Sequence, residues 1–304
     1  MKKLSKPTIV VFGATGTVGT EVVKILSKRN CHVRGILRSP ERILPKELKE
    51  LEGVSYVAAD LKNKEHIKQV CSKADAIFLL TATSLDQITY ETNIIEVAKA
   101  LNIERIVKLS APVVPHNVHV EVSDWHRKIE RELKESKLDY CVLQPHSFMQ
   151  NWERNTFTIK HFGKIYGVMG EAVRNYVDAR DVAAIAVKYL LKSTQLNEEA
   201  VIISGPEALS HQNMAERLSY VTGKKVSYED ISRDAFLHKL TKQAKLPKWL
   251  AYHIVELDVL AQKWPEPTTD TVEVILDRKP RIIDAYLQEK RELFLPSRWR
   301  SLTS

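Results

Sequence analysis

A glycine-rich turn between an apolar strand and a helix constrains this chain more than any other feature. Thr8–Leu26 reads TIVVFGATGTVGTEVVKIL, and its run Ile9–Phe12 is typical of a strand that is covered on both faces. Gly13, Gly16 and Gly19 follow this strand. In such a turn the first glycine permits the tight bend, the second lets an anion approach the backbone, and the third lets the helix pack close to the strand. The N–H groups and the dipole of the following helix favour an anion in front of the turn.

The anion that fits this arrangement is the pyrophosphate of a dinucleotide. A glycine pattern alone is weak evidence, but the strand before it and the helix after it are the context that the pattern requires. The alternative is a glycine-rich turn that binds no ligand. The predicted cofactor contacts in this turn are Gly13, Thr15, Gly16, Thr17, Val18 and Gly19.

Length and composition indicate a globular protein with more than one domain. The 304 residues have room for one large α/β domain and a smaller one, and the fractions of 44% hydrophobic and 28% charged residues are ordinary for that class. The net charge is +8, but basic residues alternate with acidic ones along helical segments, which is typical of solvated helix faces. We therefore expect no nucleic-acid partner. The most apolar run, VAAIAVKYLL, is too short to span a bilayer and contains Lys188, so we expect no membrane association.

The cysteines indicate a reducing compartment. Cys31, Cys71 and Cys141 are odd in number, widely spaced and without a C-x-x-C pair, which argues against a disulfide framework. The N-terminal residues lack the uninterrupted apolar region of a signal peptide. A cytoplasmic location is the expectation.

The residue after the second strand predicts which dinucleotide is bound. HVRGIL reads as that strand, and Arg38 follows it. An acidic residue at this position accepts a hydrogen bond from the ribose 2′-hydroxyl of NAD, whereas an arginine accommodates the 2′-phosphate of NADP. Arg38 and Arg42 therefore predict NADP(H). The alternative is a pair of surface arginines at the start of a helix.

The next segments extend the same architecture. VSYVAAD, AIFLLTAT, RIVKLSA and DYCVLQ read as strands that alternate with helices, the rhythm of right-handed βαβ units in a parallel sheet. Ligands bind at the carboxyl ends of such strands. Phe148 follows the last of these strands, and we expect it to form an apolar wall beside a nicotinamide ring. The predicted cofactor contacts at these ends are Asp60, Leu61, Thr81, Ala82, Thr83, Ser110, Pro145, Ser147 and Phe148.

A helix after RIVKLSA carries the candidate reactive groups. It is predicted to be capped by Ser123 or Asp124, and His126 and Glu130 share one of its faces. These two side chains are interpreted as part of an active-site wall, and the alternative is an ordinary solvent-facing pair. Lys108, in the strand RIVKLSA, also points to the carboxyl edge.

The same region offers one metal hypothesis. His116, His119 and Glu121 are close in sequence, but their spacing fits no strong zinc signature. No metal site is predicted, although a metal-dependent hydrolase that uses this loop is the third and weakest functional alternative.

The pattern changes after Gly205 and Pro206. Short helical segments broken by proline or glycine follow, with KVSYED as a possible lone strand. The predicted fold class is α/β, a doubly wound parallel Rossmann-type sheet with a second, smaller, mainly helical domain. The predicted domains are 1–152 with 177–204 for dinucleotide binding, and 153–176 with 205–304 for the substrate.

Together these segments resemble a known family. GATGTVG, VRGILRSPER, ADAIFLLTAT, WHRKIERELKESKLDYCVLQPHSFMQN and YVDARDVAAIAVKYL are similar to motifs of the NmrA-like family of atypical short-chain dehydrogenases/reductases, over Thr8 to about Leu293. The resemblance implies that the glycine motif and Arg38 bind NAD(P), and that His126, Glu130 and 145–151 line the nicotinamide end. The family contains NADPH-dependent quinone and azo-dye reductases, and redox sensors that bind the cofactor with little turnover.

One departure bears on the chemistry. Active short-chain dehydrogenases place a Tyr-x-x-x-Lys dyad on the helix after RIVKLSA, whereas this chain has His126-x-x-x-Glu130 there. Its literal match, Tyr220 with Lys224, lies in the smaller domain and is interpreted as coincidence. The leading hypothesis is therefore an NADPH-dependent reductase of a quinone-like or conjugated small molecule, with His126 or Lys108 as the proton donor. The alternative is a non-catalytic NADP(H) sensor that acts through a protein partner.

The first prediction concerns cofactor choice. NADPH should bind about tenfold to a hundredfold more tightly than NADH, because a charge-assisted contact from Arg38 to the 2′-phosphate contributes about 1.5–3 kcal/mol. Titration of both cofactors into the wild type and Arg38→Ala measures this. Equal affinities, or an Arg38→Ala variant that keeps the preference, would contradict it.

Overall fold

The chain divides into two compact units. The computed structural model describes residues 6–112, 114, 120–196 and 199–296. Of these, unit 1 contains the residues up to Pro145 together with Ala179–Ile203, and unit 2 contains His146–Asp178 together with the residues from Ser204 onward. Residues 146–152, which the sequence placed in the dinucleotide domain, thus lie in unit 2.

The described residues form the following strands and helices. The strands are β1 (Thr8–Val11), β2 (His32–Leu37), β3 (Val54–Ala58), β4 (Ala76–Leu79), β5 (Arg105–Leu109), β6 (Asp139–Pro145), β7 (Ser147–Phe148), β8 (Lys164–Gly167), β9 (Val173–Val177), β10 (Glu199–Ile203), β11 (Ala208–Ser210) and β12 (Ser227–Asp230). The helices are α1 (Thr17–Leu26), α2 (Lys46–Lys49), α3 (Lys64–Cys71), α4 (Gln87–Ala100), α5 (Glu121–Glu135), α6 (Thr156–Phe162), α7 (Ala179–Leu190), α8 (His211–Thr222), α9 (Arg233–His238), α10 (Lys248–Ala261), α11 (Thr271–Leu276), α12 (Ile283–Glu289) and α13 (Arg291–Phe294). A 3-10 helix spans Met149–Asn155, and a π-helical segment spans Lys239–Gln243.

Unit 1 is built on a seven-stranded sheet in the order β10-β6-β5-β4-β1-β2-β3, with all pairs parallel. Helices α3, α4 and α5 share an apolar core with one face of this sheet, and α1 and α7 pack against each other and against its strands. Val10, Val11 and Phe12 are completely buried because helices cover both faces. The predicted doubly wound Rossmann-type fold is confirmed. The strand order reverses at β1, which makes the gap between β1 and β4 the switch point where such folds bind ligands.

Unit 2 is mainly helical and contains two small sheets. One has the order β11-β9-β7, and in the other β12 pairs in parallel with β8. KVSYED is therefore not a lone strand, because β8 is its partner. The sequence did not indicate β7 or β8, since strands of two and four residues are too short to show a period.

Three local details differ from the sequence-based expectations. Helix α5 begins at Glu121 with Val120 as its N-cap, because the buried side chains of Val120 and Val122 fix its first turn. Ser123 and Asp124 thus lie within the helix and do not cap it. Residues 38–45 contain no helix, so the alternative in which the two arginines start a helix is not met. Strand β6 continues through Pro145, one residue beyond the predicted strand DYCVLQ.

Within the described part of the chain, every helix is too short or too polar to cross a membrane.

A buried aromatic cluster in unit 2 surrounds His211, the first residue of α8. The His211 ring meets Trp152 edge-on at 5.4 Å between centroids and Tyr228 at 5.1 Å. A Cβ on Gly167 would lie 2.8 Å from Nδ1 of His211, so the backbone of β8 also packs closely on the ring. Desolvation by burial, with a smaller contribution from the Arg174 charge, lowers the pKa of His211 to about 3. The imidazole is therefore neutral in the folded protein.

This burial predicts an acid-sensitive stability. The pKa of a histidine in the unfolded chain is about 6.5, so below that pH the unfolded chain gains a proton that the folded state does not bind. The contribution of His211 to the free energy of unfolding is fully present above pH 6.5. It decreases by about 1.4 kcal/mol per pH unit as the pH falls from 6.5 to the folded pKa. His211→Phe keeps a ring in place and should reduce the loss of Tm between pH 7 and pH 5. His66→Phe, at an exposed position, is the matched control. An unchanged acid loss in His211→Phe would contradict this explanation.

Candidate functional site

The glycine turn connects the end of β1 directly to α1. Gly13 has φ +70°, and a Cβ there would lie 2.7 Å from the carbonyl oxygen of Leu80. A Cβ on Gly19 would lie 2.0 Å from the carbonyl oxygen of Gly13, so no side chain fits at that position. A Cβ on Gly16 would meet only that same oxygen, at 3.3 Å, within a 4 Å radius. Gly13 and Gly19 thus serve the packing, whereas Gly16 leaves space beside the backbone.

The N-terminus of α1 faces that space. Gly16 is the N-cap, no side chain caps this helix end, and its first turn contains no acidic residue. Thr17, Val18 and Gly19 supply the first N–H groups, which have no partner within a helix. Thr15 is half-buried, while Gly16 and Thr17 are exposed. The space beside Gly16 would be narrowed by any Cβ at that position. This space and the uncapped N-terminus of α1 fit the pyrophosphate of a dinucleotide.

The predicted ribose and adenine contacts follow two paired strands. β2 and β3 end together, with Leu37 opposite Ala58, so the residues after each strand leave the same sheet edge. Arg38 and Arg42 are both exposed in the first of these loops. In the second loop Asp60 accepts a hydrogen bond from the Lys62 N–H at 2.9 Å. The carbonyl oxygen of Leu61 accepts one from Asn93 Nδ2 at 3.0 Å.

A buried polar network lies at the carboxyl ends of β4 and β5. Nζ of Lys108 is 2.6 Å from Oε2 of Glu91, and neither side chain has any exposed surface. Oε1 of Glu91 accepts hydrogen bonds from Thr81 Oγ1 at 2.9 Å and from Gln87 Nε2 at 3.2 Å. Thr81 is buried by this contact, whereas the neighbouring Ala82 and Thr83 are exposed.

Helix α5 turns its predicted reactive face to the same strand end. Nδ1 of His126 lies 3.4 Å from Nζ of Lys108, and Ser110 Oγ donates to Oε1 of Glu130. The predicted pair on α5 thus contacts β5, as the i, i+4 spacing on one face requires. Within unit 1 the structure brings together Thr81, Lys108, Ser110 and His126.

The segment after β6 is divided between the units. Pro145 ends β6 in unit 1, while Ser147 and Phe148 form β7 in unit 2, paired with Tyr176 and Val177. Both side chains of β7 are half-buried. Between them and Pro145 lies His146, 5% exposed, and desolvation by burial lowers its pKa to about 4.

Sequence reasoning missed Glu91 and Gln87. Both lie on the buried face of α4, spaced four residues apart and in phase with the apolar residues Ile94, Ile95 and Ala98. A carboxylate and an amide on an otherwise apolar helix face are the signal that would have found them, because buried polar groups require partners.

Two alternative chemistries involve residues that lie elsewhere in the chain. In the described residues, no group of histidine, cysteine or acidic side chains is arranged to hold a metal ion. His116 and His119 lie outside the described residues, and Glu121 is exposed on α5. The ring of Tyr220, from the literal Tyr-x-x-x-Lys match, is 90% exposed on α8 in unit 2.

Comparison with known proteins decides the family. The model of the NmrA-like family matches residues 5–287. This chain belongs to the NmrA-like family. The resemblance that its sequence motifs indicated is confirmed.

Individual members and solved structures agree with this assignment. The chain is 29% identical over 274 residues to an NAD(P)H azoreductase of Xenophilus azovorans, covering 90% of this chain and 92% of the azoreductase. An NADPH-dependent quinone oxidoreductase of Escherichia coli, solved with NADPH, has a TM-score of 0.82 at 20% identity, covering 93% of this chain and 99% of that chain. NmrA, a negative transcriptional regulator solved with NAD, has a TM-score of 0.77 at 15% identity, covering 95% and 96%. These two solved structures share the fold of this NmrA-like protein.

Two glycine substitutions should separate binding from folding. Gly16→Val places a branched side chain in the space before α1 and should weaken NADPH binding by at least about a hundredfold, while the Tm stays within a few degrees. Gly19→Ala forces a Cβ against the Gly13 carbonyl and should lower the Tm instead. Calorimetric titration and thermal unfolding of both variants measure the two effects. Normal NADPH binding by Gly16→Val would place the pyrophosphate site elsewhere.

Proposed function

We propose that this protein is an NADPH-dependent oxidoreductase that reduces a quinone-like or otherwise conjugated small molecule by hydride transfer. The observation that carries the proposal is the uncapped N-terminus of α1 behind Gly16, at the switch point of a fully parallel sheet. Hydride supply by bound NADPH is the chemistry that such a site provides.

Each part of the cofactor has a proposed set of contacts. The turn from Gly13 to Gly19 takes the pyrophosphate, and the exposed guanidinium groups of Arg38 and Arg42 take the 2′-phosphate. Asp60 and Leu61 lie along the adenine side. The remaining proposed contacts within unit 1, along the ribose and nicotinamide, are Thr81, Ala82, Thr83, Ser110 and Pro145. The contacts predicted for Ser147 and Phe148, which lie in unit 2, stay predictions.

The reactive groups of unit 1 suit an acceptor that stabilises its own negative charge. Reduction of a quinone by NADPH and one proton gives a hydroquinone and NADP⁺, and the hydride leaves a phenolate before the proton arrives. A simple ketone leaves an alkoxide, which needs a strong proton donor in the transition state. Lys108 is completely enclosed by protein, so His126 is the better candidate to meet the developing oxyanion.

The relatives support this assignment at the level of reaction class. An azoreductase that covers most of the chain and a quinone oxidoreductase of the same fold both use reduced nicotinamide cofactors according to their names.

The three cysteines are buried thiols, and burial raises the pKa of Cys71 to about 12. Cysteines that form no disulfide support a reducing, cytoplasmic location for the enzyme.

A second candidate function is a sensor of the NADP(H) state. The regulator NmrA shares this fold in complex with NAD, which shows that the architecture also occurs in a regulatory protein. A sensor would bind the cofactor, turn over negligibly, and contact a protein partner with an affinity that depends on cofactor occupancy.

Turnover distinguishes the two candidates. NADPH oxidation should be measurable with quinones and near background with simple ketones. His126→Ala should reduce quinone turnover by a few fold, well below the ~10²–10⁴ that a general acid contributes. Steady-state assays across quinones, azo dyes and ketones test this. Cofactor binding without turnover on any acceptor would favour the sensor, and robust ketone reduction would contradict both candidates.

A further inference from the structure

Glu91 and Lys108 form an ion pair that is fully removed from solvent. Their charged atoms are 2.6 Å apart, and both side chains are 0% exposed. Removing two charges from water costs several kcal/mol per ion unless the geometry and the surrounding hydrogen bonds compensate. We therefore expect a buried ion pair at the carboxyl edge of a parallel sheet to have a function that a pair of apolar side chains could not have.

Glu91 is surrounded by hydrogen-bond donors and one cation. Its Oε1 accepts from Thr81 Oγ1 at 2.9 Å, from Thr81 N–H at 3.3 Å, and from Gln87 Nε2 at 3.2 Å. Its Oε2 faces the Lys108 ammonium. All of these groups are donors, and an ionised carboxylate only accepts.

The ammonium of Lys108 has three polar contacts, one of which is the ion pair with Glu91. Besides Glu91, it donates to the carbonyl oxygen of Leu109 at 2.9 Å and reaches Nδ1 of His126 at 3.4 Å. An ammonium has three N–H donors and no lone pair, so Nδ1 of His126 must be the acceptor. An Nδ1 that accepts a hydrogen bond is unprotonated, so the ring of His126 is neutral and its proton is on Nε2.

We infer that Glu91 is a positioning residue: by holding the Lys108 ammonium against His126, it fixes His126 as the neutral Nε2–H tautomer. The tautomer follows from contacts within unit 1, and its use in catalysis rests on the proposed function. A neutral imidazole N–H stabilises an oxyanion by hydrogen bonding and does not surrender its proton, so the proton of the hydroquinone comes from water. This agrees with the small effect expected for His126→Ala.

The tautomer is directly measurable. In ¹⁵N-histidine-labelled protein, with the His126 signals assigned by loss in His126→Gln, Nδ1 should be unprotonated and Nε2 protonated at pH 7.5. Glu91→Gln removes the negative charge, and His126 should then populate both tautomers. Glu91→Asp should restore the Nε2–H form. Glu96→Gln, at an exposed position on the same helix, is the matched control and should change nothing.

A second variant covers the case in which Glu91→Gln does not fold. Glu91→Gln/Lys108→Met replaces both charges and leaves no uncompensated ion in the interior. It should also lose the tautomer preference. A wild-type Nδ1–H tautomer, or an Nε2–H preference that persists in the folded double variant, would overturn the inference.

Kinetics add a test that a purely structural role would fail. With a quinone acceptor, Glu91→Gln should lower kcat by about the same few fold as His126→Ala, and the combined variant should fall no further, because both changes remove one interaction. Additive losses would overturn the catalytic part of the inference. Absence of quinone turnover in a wild type with the expected tautomer would refute the proposed function and leave the positioning role intact.

Discussion

Helix α1 reaches the end of β1 only because Gly19 packs directly on the carbonyl oxygen of Gly13, where a Cβ would come within 2.0 Å. This contact places the positive end of the helix dipole beside the last residue of a central strand. An anion site made this way uses backbone groups alone, so it costs no side-chain ordering when a ligand binds. The rest of unit 1 holds that junction in place, with β2 and β4 on either side of β1.

Buried polar side chains lie at the same sheet edge as the glycine turn. Parallel strands end together, so Thr81 after β4 and Lys108 in β5 come within reach of one carboxylate on α4. The interior there excludes water, which strengthens each hydrogen bond and penalises any group left unpaired. The fold thereby combines a helix N-terminus that is open to solvent with a buried polar network. The proposed cofactor contacts and the proposed positioning of His126 thus lie at the same sheet edge.

Membership of the NmrA-like family fixes the fold more firmly than the activity. The solved structures that share this architecture include a quinone oxidoreductase and a transcriptional regulator, both in complex with a nicotinamide dinucleotide. Function therefore depends on the side chains at the sheet edge rather than on the sheet. Where active short-chain dehydrogenases have a tyrosine–lysine dyad, this chain has His126 and Glu130, and the proposed chemistry uses His126.

The sequence by itself determined the elements that local chemistry specifies. The glycine spacing, the apolar strands and the amphipathic helices predicted the Rossmann-type sheet, and the i, i+4 spacing on α5 put His126 and Glu130 on one face. Only the tertiary structure decided which distant groups meet. The pairing of β12 with β8 and the contact of Glu91 with Lys108 join segments that have no common sequence period. Such contacts form because each buried polar group must find a partner, and which partner lies within reach is set by how strands and helices pack.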